Sequence, residues 1–264
     1  MFARRRRAPP DLLMESALAT ALWLILSAVL LVLVQRLVQQ IMQQALFLLT
    51  GRVEWALFMY AFILLPGVIL HEGSHWVTAK ILRMRTGRMS LWPKLQREGT
   101  LRLGYVETER ADFLRSSLVG VAPLVVAIVA LLVLGQRLLH IDAVGLAIAG
   151  GEFDLAWQLA AQILGLPFAG LWIYLIFAVS NTMFPSASDR RSWPWVGMVL
   201  GVLLGITLVT GVGDWVVDAA GRPALRIAQT VALAFSMTIV VDAALLPGLA
   251  LLNGLLRRVR GGLM

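Results

Sequence analysis

The sequence contains no cysteine and few charged residues. Of its 264 residues, 14% are Asp, Glu, Lys or Arg, whereas 59% are hydrophobic. The absence of cysteine excludes disulfide bonds and thiolate metal sites from this chain. Soluble domains are about a quarter charged. A chain so poor in charge, with several long apolar runs, is predicted to be a polytopic membrane protein whose partner is the lipid bilayer.

Six apolar segments have the length that a bilayer-spanning helix requires. They lie at about 17–38, 55–79, 116–136, 163–182, 194–212 and 227–252. We therefore expect an all-α polytopic membrane protein with about six transmembrane helices. Three regions follow from this pattern. Residues 1–54 hold a basic segment, the first helix and an interfacial stretch, 55–195 a three-helix core with a membrane-associated loop, and 196–264 two helices and a basic tail.

The basic residues are concentrated between the apolar runs. The net charge of +8 could indicate nucleic acid, but this distribution is typical of membrane topology, so no nucleic-acid partner is expected. With the N-terminus inside, most of the 23 Lys and Arg residues fall on the inner side. The positive-inside rule then predicts a multi-pass protein of the cell membrane with both termini in the cytoplasm.

The longest polar segment, 84–114, contains two stretches in which apolar and polar residues alternate. These are "RMSLWPKL" and "GTLRLGYVETE", and "QREG" lies at their junction. Alternation with a period of two predicts strands, and the pair predicts a small β-hairpin on the cytoplasmic side. An irregular basic loop is an equally good interpretation of the same residues.

The second apolar run ends in "HEGSH", which contains two of the three histidines in the chain. His71 and His75 are one helical turn apart, so their imidazoles project from nearly the same face and can bind one zinc ion. Glu72 projects about a quarter turn away and can hold a water molecule next to the metal. This is the H-E-x-x-H arrangement of metalloproteases. The alternative is a polar cap where the helix leaves the membrane.

A catalytic zinc ion needs a third protein ligand and one open position. His140 lies at the outer end of the third span, on the wrong side of the membrane, so a carboxylate is expected. Asp189 follows the fourth span, and Asp242 lies within the sixth, both at the depth of the inner leaflet. An acid at membrane depth is a functional candidate, and position alone leaves both open.

The chain resembles the site-2 protease family of intramembrane zinc metalloproteases, as a divergent member. "HEGSH" matches the first family motif, and "NTMFPSASDR" partly matches the N-x-x-P-x-P-x-L-D-G stretch, with the spacing between Asn181 and Asp189 preserved. The proline is displaced by one position to Pro185, the second proline is missing, and Arg190 replaces the glycine. "LVGVAPLVV" is loosely similar to the family's intervening glycine-proline stretch. The resemblance covers about 55–195 and favours Asp189 as the third ligand.

The resemblance implies zinc bound by His71, His75 and Asp189, and Glu72 as the group that transfers the proton during peptide hydrolysis. It also implies that Asn181 donates a hydrogen bond to the substrate or to the oxyanion. A helix cap or a helix-to-helix hydrogen bond is the other interpretation of Asn181. The expected substrate is a transmembrane segment of another protein, which must unwind before cleavage and could pair with the edge of the hairpin.

Two other classes of protein remain open at this stage. A transporter or channel could use the buried His, Glu and Asp groups as an ion site, although the sequence shows no inverted repeat. A membrane scaffold descended from a protease is the second alternative, against which the intact His71, Glu72 and His75 argue. Neither the oligomeric state nor the physiological substrate follows from the sequence.

Overall fold

A computed structural model describes residues 10–95, 101–109, 112–186, 188–210 and 220–261. The protein is mostly helical, as expected. The helices are α1 (Pro10–Thr50), α2 (Val53–Ile63), α3 (Leu65–Ile81), α4 (Phe113–Leu132), α5 (Ile141–Ala149), α6 (Phe153–Leu164), α7 (Ala169–Ser180), α8 (Trp193–Thr210) and α9 (Arg222–Gly261). A π-helical turn, Val133–Leu138, continues α4, and a 3-10 turn, Asp189–Ser192, precedes α8.

Three helices within the described ranges are long and apolar enough to cross a membrane by themselves. They are α1, α4 with its π-helical turn, and α9. Two helix pairs pass the same test together but are bent, α2 with α3 by 68° and α6 with α7 by 102°. The described chain therefore contains three to five candidate spans, which agrees with a membrane protein but does not confirm a count of six.

The predicted β-hairpin is present. Strand β1 (Thr86–Ser90) pairs antiparallel with β4 (Tyr105–Thr108), and β2 (Lys94–Leu95) pairs with β3 (Leu101–Arg102). The turn expected at "QREG", 96–99, lies outside the described residues. The hairpin packs onto the helices, because the ring centroid of Trp92 lies 5.2 Å from that of Phe58 on α2.

The core lies where α1, α4, α7 and α9 meet. Its largest buried side chains include Leu31, Leu131, Ile176 and Met183, none of them more than 2% exposed. A second cluster forms where α1 packs against α2 and the start of α3, around the fully buried Leu64. Val68 of α3 belongs to this second cluster and Leu70 packs against the first, so the two clusters fix the first half of α3.

Helices α1 and α9 run parallel to each other. Gln229 contacts Thr20 near the start of each helix, and Asn253 contacts Gln44 near the end of each. Both helices therefore begin on one face and end on the other. The bent pairs leave the number of candidate spans between three and five, so the cytoplasmic location of both termini stays a prediction.

The segment 139–168 is the second difference from the sequence prediction. The expected span 163–182 is broken, because α6 ends at Leu164 and α7 begins at Ala169 after Gly165 and Pro167. Upstream, α5 packs on α6 through a small buried cluster of Val144, Ala147 and Ala156. These two helices are too short to appear as separate spans in a search for runs of about 20 residues.

Candidate metal centre

His71 and His75 are presented together by α3. The helix is separated from α2 by a bend at Leu64, and Pro66 lies in its first turn, where the missing N–H costs no helical hydrogen bond. The two imidazole ring centroids are 4.9 Å apart. The sequence prediction that both rings project from one helix face is therefore confirmed.

Asp189 completes a three-residue group with these histidines. Its Oδ1 atom lies 3.3 Å from Nε2 of His75, and its Oδ2 atom lies 3.6 Å from Nε2 of His71. Ligand atoms around a tetrahedral zinc ion at about 2.0–2.1 Å are about 3.3–3.4 Å apart. Within the described residues, this is the group of histidine and acidic side chains whose spacing suits a metal ion.

Hydrogen bonds fix the far side of two of the three residues, whereas Nδ1 of His71 is buried without a hydrogen-bond partner in the described part of the chain. Nδ1 of His75 lies 2.9 Å from the carbonyl oxygen of Val119 on α4, which places Nε2 towards Asp189. The backbone N–H of Ser186 donates to Oδ2 of Asp189 at 2.7 Å. Such second-layer partners orient metal ligands and keep the correct tautomer.

Asp189 is held in its ionised form. Burial raises the pKa of its carboxyl, but hydrogen bonds with His71, His75 and Ser186 oppose burial and hold the pKa well below its usual range. An ionised carboxylate is the form that coordinates a cation. The donor set of two imidazole nitrogens and one carboxylate therefore fits zinc, with a fourth position left for water.

Gly120 on α4 makes room for the segment that carries Asp189. A Cβ atom at Gly120 would overlap the carbonyl oxygen of Asp189. Backbone can approach a helix this closely only where the helix has no side chain. The glycine of "LVGVAPLVV" thus leaves the space that the backbone of Asp189 occupies.

Glu72 is buried beneath the hairpin. Its side chain is 8% exposed, and a Cβ atom at Gly104 would lie 2.8 Å from its Cγ atom and 3.0 Å from its Oε1 atom. Gly104 stands between β3 and β4, so the returning strand of the hairpin crosses directly over the glutamate. The same Cβ would lie 3.0 Å from Cγ1 of Val68, one turn earlier on α3.

Asn181 and Asp242 lie together, away from the metal group. The Nδ2 atom of Asn181, at the end of α7, lies 3.0 Å from the carbonyl oxygen of Phe177, 3.4 Å from Oγ of Ser180 and 3.2 Å from Oδ1 of Asp242. This arrangement favours the helix-to-helix hydrogen bond that the sequence left as the alternative for Asn181. Neither Asp242 nor His140 belongs to the group around His71.

Sequence reasoning missed the two contacts made by Gly104 and the carbonyl of Val119. An isolated glycine inside a strand pattern, as in "LRLGYVET", signals close backbone approach and could have indicated the first. No sequence signal identifies a backbone carbonyl as the partner of His75, because every residue offers one.

Comparison with protein-family models, curated proteins and solved structures gives no match for this chain.

Proposed function

We propose that the chain is an intramembrane zinc metalloendopeptidase, similar to the site-2 proteases, that cleaves transmembrane segments of other proteins. The observation that carries the proposal is the spacing of Nε2 of His71, Nε2 of His75 and the carboxylate of Asp189 around one point, with Glu72 on the same helix. These groups come from α3 and from a turn more than 100 residues later.

Zinc would be held by His71, His75 and Asp189. When bound, it would supply Lewis-acid chemistry, polarising a peptide carbonyl and making a water molecule acidic near neutral pH. The carbonyl of Val119 keeps His75 in the tautomer that this role requires. The N–H of Ser186 keeps the Asp189 carboxylate turned towards the histidines.

Glu72 would move the proton in the reaction. It accepts a proton from the attacking water as the carbon–oxygen bond forms, and it delivers that proton to the nitrogen as the carbon–nitrogen bond breaks. Its burial among α3 and the hairpin excludes bulk water from this transfer. Its position next to His71 in the chain keeps it close to the metal ligands.

The hairpin would admit and align the substrate. A helical peptide bond is shielded, so the segment must unwind, and an unwound strand can pair with the outer edge of a two-stranded sheet. Because the backbone at Gly104 covers Glu72, this stretch of the hairpin must shift when a substrate reaches the glutamate.

We further propose a multi-pass location in the cell membrane, with the end of α3 facing the cytoplasm. Basic residues are concentrated where α3 ends, along β1 and where α4 begins, as the positive-inside rule predicts for a cytoplasmic face. They are Lys80, Arg83, Arg85, Arg88 and Arg115.

The test is to measure bound zinc, and cleavage of a panel of membrane-spanning reporter segments, for the wild type and Glu72→Gln in bilayer vesicles. We expect the wild type to bind about one zinc ion per chain and to cleave at least one reporter. Glu72→Gln should keep the metal and lose cleavage by about 100-fold or more, the order that general acid–base catalysis contributes.

Glu54→Gln is the matched control, because Glu54 is an exposed glutamate in the first turn of α2. It should cleave as the wild type does. A wild type that binds no zinc would contradict the proposal. Zinc binding with ion flux but no cleavage would favour the transporter class instead.

A further inference from the structure

Asp242 is a fully buried acid in the middle of α9, with 0% of its surface exposed. Within the described residues, no Lys, Arg or His nitrogen lies within 4.0 Å of its carboxylate. A buried carboxylate without a cationic partner is strongly unfavourable in its ionised form, more so at membrane depth. The side chain therefore needs an explanation that its packing alone does not supply.

The hydrogen bonds around Asp242 leave two acceptor atoms without partners. Oδ1 of Asp242 accepts from Nδ2 of Asn181 at 3.2 Å. Oδ2 of Asp242 and Oδ1 of Asn181 are both buried and have no hydrogen-bond partner. The nitrogen end of Asn181 is fixed by the carbonyl oxygen of Phe177, 3.0 Å away.

One proton satisfies both of these atoms. A protonated carboxyl and a primary amide are complementary, because the amide N–H donates to one carboxyl oxygen while the acid O–H donates to the amide oxygen. The first of these two bonds is present. The second would need a hydrogen on Oδ2 of Asp242, and it would use the two atoms that are otherwise unpaired.

We propose that Asp242 is an uncharged carboxylic acid that pairs with Asn181 and acts as a positioning residue for the metal centre. The pair ties α9 to the end of α7, eight residues before the ligand Asp189. The inference concerns the site of the proposed function and rests on that function for its activity readout. In this proposal Asp242 supports the site through its hydrogen bonds with Asn181. It carries no charge and does not bind the metal.

The end of α7 is held from both flanking helices, which supports a positioning role. Nε2 of Gln35 on α1, 3% exposed, donates to the carbonyl oxygen of Ser180 at 2.8 Å. Asp242 on α9 holds the next residue, Asn181. Beyond them, Met183 is buried in the core and Phe184 contacts Phe235 of α9, so the chain is fixed on its way to Asp189.

The decisive variants are Asp242→Asn and Asp242→Leu. Asparagine is neutral and can form the same two-bond pair with Asn181, whereas leucine has the same branched shape but is bulkier and makes no hydrogen bonds. We expect Asp242→Asn to keep zinc and to cleave within about threefold of the wild type. Asp242→Leu should lose about 10-fold or more in zinc affinity or cleavage, as removal of outer-layer partners does.

Infrared spectroscopy tests the charge state without any activity. At neutral pH, the difference spectrum between the wild type and Asp242→Asn should contain the C=O stretch of a protonated carboxyl group. Asp154→Asn, at an exposed position of α6, is the control and should show the bands of an ionised carboxylate instead.

Three outcomes would overturn the inference. The Asp242→Asn difference spectrum could show an ionised carboxylate, Asp242→Asn could be as impaired as Asp242→Leu, or Asp242→Leu could match the wild type. Failure of the proposed function can be distinguished from failure of this inference. If the wild type cleaves no reporter, the infrared band still tests whether Asp242 is protonated and paired with Asn181.

Discussion

The carbonyl oxygen of Asp189 occupies the space in which Gly120 would carry a side chain. A methyl group at this position must push the Asp189 segment away from α4. We therefore expect Gly120→Ala to weaken zinc binding by about 10- to 100-fold, the range for disturbed outer-layer support. Zinc titration of the purified protein with a competing chelator measures this effect.

Gly73→Ala is the control for that variant, because Gly73 lies within the motif itself and nothing stands within 4 Å of its missing side chain. Zinc affinity should stay unchanged, and stability should rise slightly, since alanine is favoured over glycine in a helix by about 0.8–1.0 kcal/mol. Equal zinc affinity for Gly120→Ala and Gly73→Ala would show that the close contact between Gly120 and Asp189 is not needed for zinc binding.

Gly104→Ala is expected to separate catalysis from metal binding. The added methyl would press on the side chain of Glu72, and its three nearest atoms belong to Glu72 and Val68 rather than to His71, His75 or Asp189. Cleavage should therefore fall at least 10-fold while the zinc content stays that of the wild type. Gly87→Ala serves for comparison, because the nearest atom to its Cβ would be the carboxylate tip of Glu107, which can move. Loss of zinc in Gly104→Ala would contradict this account.

Gly67→Ala should destabilise the whole protein. A Cβ at Gly67 would overlap the carbonyl oxygen of Ala178 and Oγ1 of Thr182, so α3 and α7 must separate. Overpacking of this kind costs about 1–3 kcal/mol. Thermal unfolding in detergent should show a lower Tm than for Gly201→Ala, whose added methyl meets no atom within 4 Å. A Tm equal to that of the wild type would mean that the two helices are less closely packed.

Zinc should stabilise the folded protein, and this effect should depend on Asp189. At a free zinc concentration 100 times the Kd, binding adds about 2.7 kcal/mol to the free energy of unfolding. The wild type should show a zinc-dependent rise in Tm that a chelator reverses. Asp189→Ala should not, whereas Asp242→Leu should retain at least part of the rise because Asp242 lies outside the metal group. If Asp242→Leu lost the zinc-dependent rise in Tm completely and Asp189→Ala kept it, Asp242 rather than Asp189 would be the zinc ligand.

The parallel packing of α1 and α9 predicts that their first turns are on the same face of the membrane and their last turns on the other. Because the chain has no cysteine, single replacements report position without background. In sealed vesicles, an impermeant maleimide should label Glu15→Cys from one side and Arg258→Cys from the other. Labelling of both from the same side would contradict the parallel packing and would agree with the prediction that both termini are cytoplasmic.

Helical spacing was sufficient to predict the pairing of His71 with His75, because it depends on residues one turn apart. The choice of Asp189 over Asp242 needed the resemblance, since both acids have the same expected depth. The structure places Asp189, and not Asp242, beside the two histidines. The position of each acid depends on the turn after α7 and on the path of α9, which are tertiary features.

Other features could not be predicted from local pattern at all. The break between Leu164 and Ala169 follows from Gly165 and Pro167. Mean hydropathy over a window of about one span does not resolve such a break, so the segment is read as one apolar run. The direction of α9 depends on how many of the preceding segments cross, which the basic residues alone do not determine. The passage of Gly104 over Glu72 joins a loop to a helix more than 30 residues away in the sequence.

The hairpin segment carries an exposed tryptophan that contacts α2. The indole of Trp92 packs against Phe58 with the two rings tilted by 50°, and Trp92 remains 63% exposed. Tryptophan prefers the headgroup level of a membrane, and the depth of that level changes with acyl-chain length. A change in bilayer thickness would then act on the hairpin through Trp92, and we expect cleavage by the proposed protease to depend on the acyl-chain length of the membrane.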